Sequence, residues 1–153
     1  MTVDLLAILS KETNDFLTQV KSNLDSTGTT ATGKSKEALR FEITEEGKKI
    51  VLTVFGKPYF GVVETGRKPT PDKKPSRAMI DSITEWLSAR GKPESMAWAV
   101  ATKINKEGTK LWQTGGRTDI YTDLKESFAD KIYTAAVEDL SSEYFRNAVL
   151  SFE

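Results

Sequence analysis

The chain has 153 residues, a length that suits one domain spanning residues 1–153, and its 22 basic and 22 acidic side chains give a net charge of zero. It contains neither histidine nor cysteine, which excludes disulfides, thiolate metal sites and catalysis that depends on either side chain. We therefore predict no enzyme activity, no catalytic or metal-binding residue and no cofactor, and the lack of a long apolar run or a basic leader predicts no membrane association.

The order of apolar patterns predicts an α+β fold with a long N-terminal amphipathic helix, a small antiparallel sheet, two short helices and a long C-terminal helix. The first helix runs from Val3 to about Asp25. Its apolar residues recur at helical spacing: Leu5, Leu6, Leu9, Phe16, Leu17, Val20 and Leu24. A loop of small polar residues follows over 27–36, and we expect it to be flexible or to form an interface.

A hairpin is predicted over residues 38–55. Leu39, Phe41 and Ile43 alternate with polar residues, and the β-branched run that follows the Gly47 turn is its natural partner. The apolar run 59–64 is too short for its period to separate strand from helix. Three prolines then make 66–75 a stiff, extended loop.

The remaining sequence predicts three helices. Ser76 caps the first, which ends at Gly91 and has an apolar face of Met79, Ile80, Ile83, Trp86 and Leu87. Ser95 caps the second, which ends at Gly108 and has an apolar face of Ala97, Val100, Ala101 and Ile104. A second long loop covers 110–121. The last helix starts at Thr122, and residues spaced for burial are Leu124, Phe128, Ile132, Ala135, Ala136, Leu140 and Tyr144.

One string matches a phosphate-binding pattern. Residues 28–35 read Gly-x-x-x-x-Gly-Lys-Ser, the pattern of a P-loop. A P-loop needs a buried strand before it and a helix after it, so that amides and lysine converge on phosphate. Here a long helix precedes the string and an alternating strand follows soon after. Chance therefore explains the match better, with nucleotide binding as an alternative.

Charge is distributed unevenly along the chain. One acid accompanies five basic residues near the proline-rich loop, namely Arg67, Lys68, Lys73, Lys74 and Arg77. A solvated, proline-stiffened loop is favoured over DNA contact. Residues 119–153 instead hold eight acids and three bases. In a ring, the basic loop of one subunit could therefore complement the acidic helix of its neighbour.

The three tryptophans have different surroundings in the sequence. Trp86 lies on a helix face with Ile83, which indicates the core. Trp98 falls off the apolar stripe of its helix and is a better candidate for an interface anchor. Trp112, in the glycine-rich loop that also carries Arg117, could belong to the core or to a contact.

Four strings, in this order, resemble the tail-completion or head–tail joining (neck) proteins of tailed bacteriophages. They are residues 31–43, 59–69, 83–101 and 103–109, and the resemblance spans about 31–121. The residues that carry it include Gly33, Lys34, Tyr59, Glu64, Gly66, Trp86 and Gly108.

This resemblance implies a non-enzymatic structural subunit of the virion, assembled in the cytoplasm of the bacterial host. The subunit would form part of a ring in the head–tail connector or neck, or complete the tail. Implied partners are copies of the chain and other phage neck, portal or tail proteins, with loose contact to genomic DNA in the channel. We predict that interface residues include Arg67, Lys68, Lys73, Lys74, Arg77, Trp98, Trp112 and Arg117. The alternative is a small DNA- or nucleotide-binding module that uses residues 67–77 or 28–35.

Overall fold

The structure is a computed structural model that describes residues 3–29, 33–47 and 49–150, with side chains described for 5–29, 33–47 and 49–141. It confirms the α+β class. The elements in chain order are α1 (Val3–Ser26), α2 (Lys34–Glu37), β1 (Arg40–Glu46), β2 (Lys49–Phe55), a 3₁₀ helix (Pro58–Gly61), α3 (Val62–Thr65), α4 (Arg77–Ala89), a 3₁₀ helix (Glu94–Met96), α5 (Ala97–Glu107), α6 (Lys110–Gln113) and α7 (Thr122–Leu150).

Helix α1 carries much of the core on one face. Its buried apolar residues lie at helical spacing and are at most 6% exposed: Leu5, Leu9, Leu17, Val20 and Leu24. The C-terminal half of α1 packs with Leu39 and Ile120, and the N-terminal half packs with Ala135 of α7. The ring of Phe16 also stacks on that of Phe128, with centroids 4.6 Å apart. These contacts fix the last helix along the first.

The hairpin covers this helix pair on one side. Strands β1 and β2 are antiparallel, with pairs running from Arg40↔Phe55 to Glu46↔Lys49. Gly47 in the turn has φ +64°, a conformation that glycine adopts without steric cost. Phe41, Ile43 and Ile50 pack against the core. Since an isolated two-stranded sheet is marginal in water, this packing is what stabilises the hairpin.

Three segments are helical where the sequence predicted loops or left the choice open. The run 59–64 is helical, because it divides between the first 3₁₀ helix and α3. The predicted loop 27–36 is wrong at residues 34–36, which belong to α2, and residues 30–32 lie outside the described part. The predicted loop 110–121 is wrong at Lys110–Gln113, because the Thr109 hydroxyl accepts from the Trp112 amide and caps a helical turn.

Both predicted ends of α4 are confirmed. The Ser76 hydroxyl accepts a hydrogen bond from the Met79 nitrogen at 3.2 Å. At the other end, Gly91 has φ +64° and the Lys92 nitrogen donates to the Leu87 carbonyl at 2.8 Å. This bond past a left-handed glycine is the usual termination of a helix.

Three detailed predictions are wrong. Ser95 caps nothing, because it lies inside the second 3₁₀ helix, and α5 begins without a side-chain cap. Trp86 is 37% exposed rather than in the core, since it sits at the edge of the face that buries Met79 and Leu87. Leu140 is 65% exposed, because it lies beyond Ala135, which already packs near the start of the described α1. The side chain of Tyr144 is outside the described residues.

Candidate functional site

The carboxylate of Glu64, which belongs to the resembling string 59–69, lies in the interior, and the residue is 3% exposed. Its Oε1 atom accepts hydrogen bonds from the backbone nitrogens of Ile120, Tyr121 and Thr122 at 3.0, 2.6 and 2.9 Å. Its Oε2 atom accepts one from the Thr122 hydroxyl. Because these amides open the 29-residue helix α7, Glu64 caps that helix from a distant segment.

Three glycines let the backbones approach closely at this point. A Cβ atom on Gly66 would lie 2.4 Å from the Trp112 nitrogen, and one on Gly108 would lie 2.9 Å from the Arg67 carbonyl oxygen. One on Gly116 would lie 2.8 Å from the Glu64 carbonyl oxygen. We call the set of Glu64, Gly66, Gly108, Thr109, Gly116 and Thr122 the Glu64 junction.

Backbone hydrogen bonds complete the Glu64 junction. The Arg67 nitrogen donates to the Thr109 hydroxyl at 3.0 Å, and the Thr109 nitrogen donates to the Arg67 carbonyl at 2.9 Å. The Arg117 nitrogen donates to the Glu64 carbonyl at 2.8 Å, while its guanidinium binds both carboxylate oxygens of Asp119 at 2.6 and 2.8 Å. Arg117, predicted as an interface residue, is thus held at the junction.

The electrostatics of the Glu64 junction favour a charged carboxylate. Burial raises the pKa of Glu64, but the hydrogen bonds from Thr122, Tyr121 and Ile120 together lower it by more, so that the net pKa lies below its ordinary value. Burial and the charge of Glu64 raise the pKa of the Tyr121 hydroxyl. The charged carboxylate therefore accepts hydrogen bonds from the backbone amides of residues 120–122 and holds the start of α7 in place.

The basic loop, residues 66–77, lies on α5. The Thr70 nitrogen donates to the Asn105 carbonyl at 2.7 Å, and the Asn105 side-chain amide donates to the Lys73 carbonyl at 2.8 Å. The loop's cationic side chains are exposed: Arg67, Lys68, Lys73, Lys74 and Arg77. Arg77 pairs with Asp81 at 3.2 Å, whereas Lys68, Lys73 and Lys74 form no ion pair within the described part of the chain.

The tryptophans do not form one site. Trp98 is 64% exposed, as its position off the apolar stripe predicted. Trp112 is 44% exposed, and its indole lies where a side chain on Gly108 would collide with it, so it packs on the Glu64 junction while facing solvent. Trp86 has the guanidinium of Arg90 over its ring at 4.9 Å.

The remaining motif residues fasten the P-loop-like string to α4. Lys34 donates to the Glu85 carboxylate at 2.7 Å, which raises the pKa of Lys34, and the hydroxyls of Ser35 and Tyr59 lie 3.2 Å apart. The guanidinium of Arg90 donates to the Gly28 carbonyl at 2.6 Å. Gly33, with φ +77°, starts the one-turn helix α2. The string follows helix α1 rather than a strand, which is not the geometry that cradles phosphate.

A groove of about 640 Å³ between α1 and α7 was not predicted. Five carboxylates line it, with one ammonium: Glu12, Asp123, Glu126, Asp130 and Glu138, with Lys131. Lys131 lies 3.5 Å from Glu12. The excess of acids after residue 119 and the i, i+4 spacing of Glu126 and Asp130 indicate an acidic face on the last helix, which is one part of this groove. The contribution of Glu12 could not be found without the packing of α1 on α7. We call this feature the acidic groove.

Beside the acidic groove, α7 presents apolar side chains to solvent. Tyr133 is 72% exposed and Val137, four residues later, is 42% exposed, and Leu140 follows on the same stripe three residues further on. Large exposed apolar side chains on one helical stripe are typical of contact surfaces.

Residues 3–29, 33–47 and 49–150 contain neither a candidate metal site nor a candidate membrane-spanning helix. No group of three or more His, Cys, Asp or Glu side chains there could hold a metal ion. No helix there combines the length and the apolar character needed to cross a membrane. Comparisons of the chain with known protein families, with curated proteins and with solved structures find no match.

Proposed function

We propose that the chain is a structural subunit of a tailed-phage virion, forming part of a ring in the head–tail connector or neck, or completing the tail. The observation that carries the proposal is the resemblance of four strings, in one order, across residues 31–121. The role is assembly rather than catalysis. Its partners are further copies of the chain and neighbouring neck, portal or tail proteins, in a virion assembled in the host cytoplasm.

The Glu64 junction supports the proposal, because residues from two of the four resembling strings contact one another there. Glu64 and Gly66 come from one string and Gly108 from another, yet the three lie in one cluster of backbone contacts. A buried carboxylate and left-handed glycines are costly to replace there, because each satisfies a backbone requirement. These residues therefore maintain the fold that a ring subunit needs, and they leave the surface loops to make contacts.

The surface supports the proposal as well. A proline-stiffened loop carries lysines that form no ion pair with any described residue, Trp98 is 64% exposed, and an acidic groove lies on different elements of the same chain. Rings require head-to-tail contacts between two different patches of each subunit. Exposed aromatic side chains and complementary charges are suited to such contacts.

Inactivation of the gene in the phage or prophage that encodes the chain tests the proposal. We expect electron micrographs to show unjoined heads and tails, or tails with malformed ends. Complete particles should be restored when the chain is supplied in trans. Complete, infectious particles at the normal yield in the absence of the chain would contradict the proposal.

DNA binding is the second candidate, and it is favoured by the exposed side chains of Lys68, Lys73 and Lys74, which have no ion-pair partner among the described residues. A module that neutralises DNA phosphates binds duplex DNA with an affinity that falls steeply as salt is raised. Titration of labelled duplex DNA with the purified chain at two salt concentrations tests this. Tight, salt-sensitive binding that is lost on charge reversal of Lys73 and Lys74 would favour the DNA-binding module.

A further inference from the structure

Two surfaces of the chain carry opposite charges and are exposed at the same time. The basic loop presents Lys68, Lys73 and Lys74 without ion-pair partners among the described residues. The acidic groove presents Asp123, Glu126, Asp130 and Glu138, and of its lining only Lys131 is cationic. Within the described part of the chain, each surface therefore leaves charge uncompensated.

The two surfaces lie on different elements of the fold. The basic loop is fastened to α5 through Asn105, whereas the acidic groove lies between α1 and α7. The lining of the acidic groove includes no residue of the basic loop. Contact between copies that joins two different patches is heterologous, and repetition of such a contact closes a ring when the rotation permits it.

The basic loop is prepared for docking. Pro69, Pro71 and Pro75 restrict its backbone, and the Asn105 amide holds the Lys73 carbonyl at 2.8 Å. A loop already held in one conformation loses little entropy when it binds. Its lysines are thus presented at fixed positions rather than as a mobile cationic segment.

Each surface also has an apolar neighbour. Trp98 lies seven residues before Asn105, two helical turns away on the side of α5 that holds the loop, and it is 64% exposed. On the other surface, Ile8 lines the acidic groove and is 38% exposed, and Val137 is exposed on the adjacent stripe of α7. Aromatic anchors beside complementary charges are a usual composition of protein interfaces.

We propose that the basic loop of one copy of this chain docks into the acidic groove of the next copy, with Trp98 packing beside it. This inference rests on the proposed function, since it identifies the contact by which the ring is built. The occupant of the groove is a second copy, because each copy carries a stiff loop whose positive charge complements the acidic groove. Duplex DNA is an anion and lacks that complementary charge.

A charge-swap experiment on the full chain tests this contact. One variant reverses the loop (Lys73→Glu with Lys74→Glu), a second reverses the groove (Glu126→Lys with Asp130→Lys), and a third combines all four changes. The matched control is Lys92→Glu with Lys103→Glu, the same charge change at exposed positions outside both surfaces. Circular dichroism shows whether each variant is folded, and sedimentation velocity at low and high salt measures self-association.

We expect the wild type and the control to associate, and each single-surface reversal to weaken association by at least about tenfold. The combined variant should recover most of the association, because its charges are complementary again. Recovery in the combined variant is a result that misfolding would not produce.

Three results would overturn the inference. Association of the wild type that neither reversal weakens would place the contact elsewhere and leave the proposed function standing. A wild type that stays monomeric at all concentrations, or that binds duplex DNA through Lys73 and Lys74 while monomeric, would remove the second copy as occupant. The proposed function itself is contradicted by a separate result, namely particles that assemble normally without the chain.

Discussion

Glu64 Oε1 lies 2.6 Å from the backbone nitrogen of Tyr121, and this hydrogen bond joins positions that are 57 residues apart. Glu64 lies two residues before the start of the basic loop, and Tyr121 immediately precedes α7, which forms one wall of the acidic groove. One buried carboxylate therefore connects the segments that carry the two charged surfaces. In a ring, the angle between those surfaces decides whether the contacts close, so a rigid connection has a direct structural purpose.

Replacement of Glu64 should destabilise the chain more than replacement of an exposed glutamate. Glu64→Ala leaves three backbone amides and the Thr122 hydroxyl without their buried acceptor, and we expect a loss of about 3–5 kcal/mol in the free energy of unfolding. Glu64→Gln keeps one acceptor oxygen and should cost about half as much. Urea unfolding measures both, with Glu45→Ala, at an exposed strand position, as the control. Equal costs for Glu64→Ala and Glu45→Ala would contradict the capping role.

The same carboxylate should make stability depend on pH. The pKa of Glu64 in the folded chain lies below the ordinary value of 4.5, so the folded state holds the group charged more firmly than the unfolded chain does. Its contribution is therefore complete above this ordinary value and is lost as the pH falls toward the lower, folded-state pKa.

Urea unfolding of the wild type and of Glu64→Gln, from about pH 7 to about pH 3, measures this contribution. The difference between the two proteins should shrink as the solution becomes acidic. The pKa of Asp119 is also lowered, by its hydrogen bonds with Arg117, but this pair is present in both proteins and cancels in the difference. A difference that stays constant across the range would show that the charge of Glu64 is not what stabilises the junction.

Gly66 should tolerate no side chain. It combines φ +72° with ψ 174°, a region that only glycine populates readily, and a Cβ atom there would lie 2.4 Å from the Trp112 nitrogen. We expect Gly66→Ala to cost more than about 3 kcal/mol or to prevent folding.

Gly91→Ala is the matched control, because Gly91 also has positive φ, +64°, but has open space around its Cβ position. It should cost about 1 kcal/mol, from backbone conformation alone. Thermal and urea unfolding compare the two variants. Similar costs would show that the close approach to Trp112 contributes nothing.

The P-loop-like string should bind no nucleotide. Lys34 already donates to Glu85 at 2.7 Å, and helix α1 occupies the place of the strand that a phosphate-binding loop requires. Magnesium and ATP should therefore leave the thermal midpoint of the wild type unchanged. Lys34→Gln should also unfold at nearly the same temperature, since exposed ion pairs contribute little. A nucleotide-dependent rise in the midpoint that disappears in Lys34→Gln would restore the alternative.

Periodicity in the sequence predicted α1, the hairpin, α4, α5 and α7, because each has a regular apolar face or alternation over several residues. Periodicity could not decide whether the short segments are helices, strands or loops. Residues 59–64 lie in two consecutive short helices and residues 110–113 form one helical turn. Such elements are too short to show a period and are stabilised by local capping, as at Thr109, and by tertiary contact. The wrong burial assignments have a similar origin, since spacing places Trp86 and Leu140 near an apolar face and cannot say where the partner helix ends.

The candidate surfaces were predicted to different extents. The cations of the basic loop and the exposure of Trp98 follow from local composition and spacing, and the sequence indicated both. The acidic groove depends on α1 lying along α7, which brings Glu12 beside Lys131 at 3.5 Å over a long separation in sequence. The sequence could single out Glu64, Gly66 and Gly108 by resemblance. Only their contacts in space reveal why a carboxylate and two glycines stand there.

Quantitative mass spectrometry of purified particles tests whether the chain is a structural subunit of a tailed-phage virion. The particles are those produced by the phage or prophage that encodes the chain. We expect peptides of this chain in the particles, in several copies per portal and at a constant ratio to the other neck and tail proteins. Complete particles that contain no peptide of this chain would contradict it.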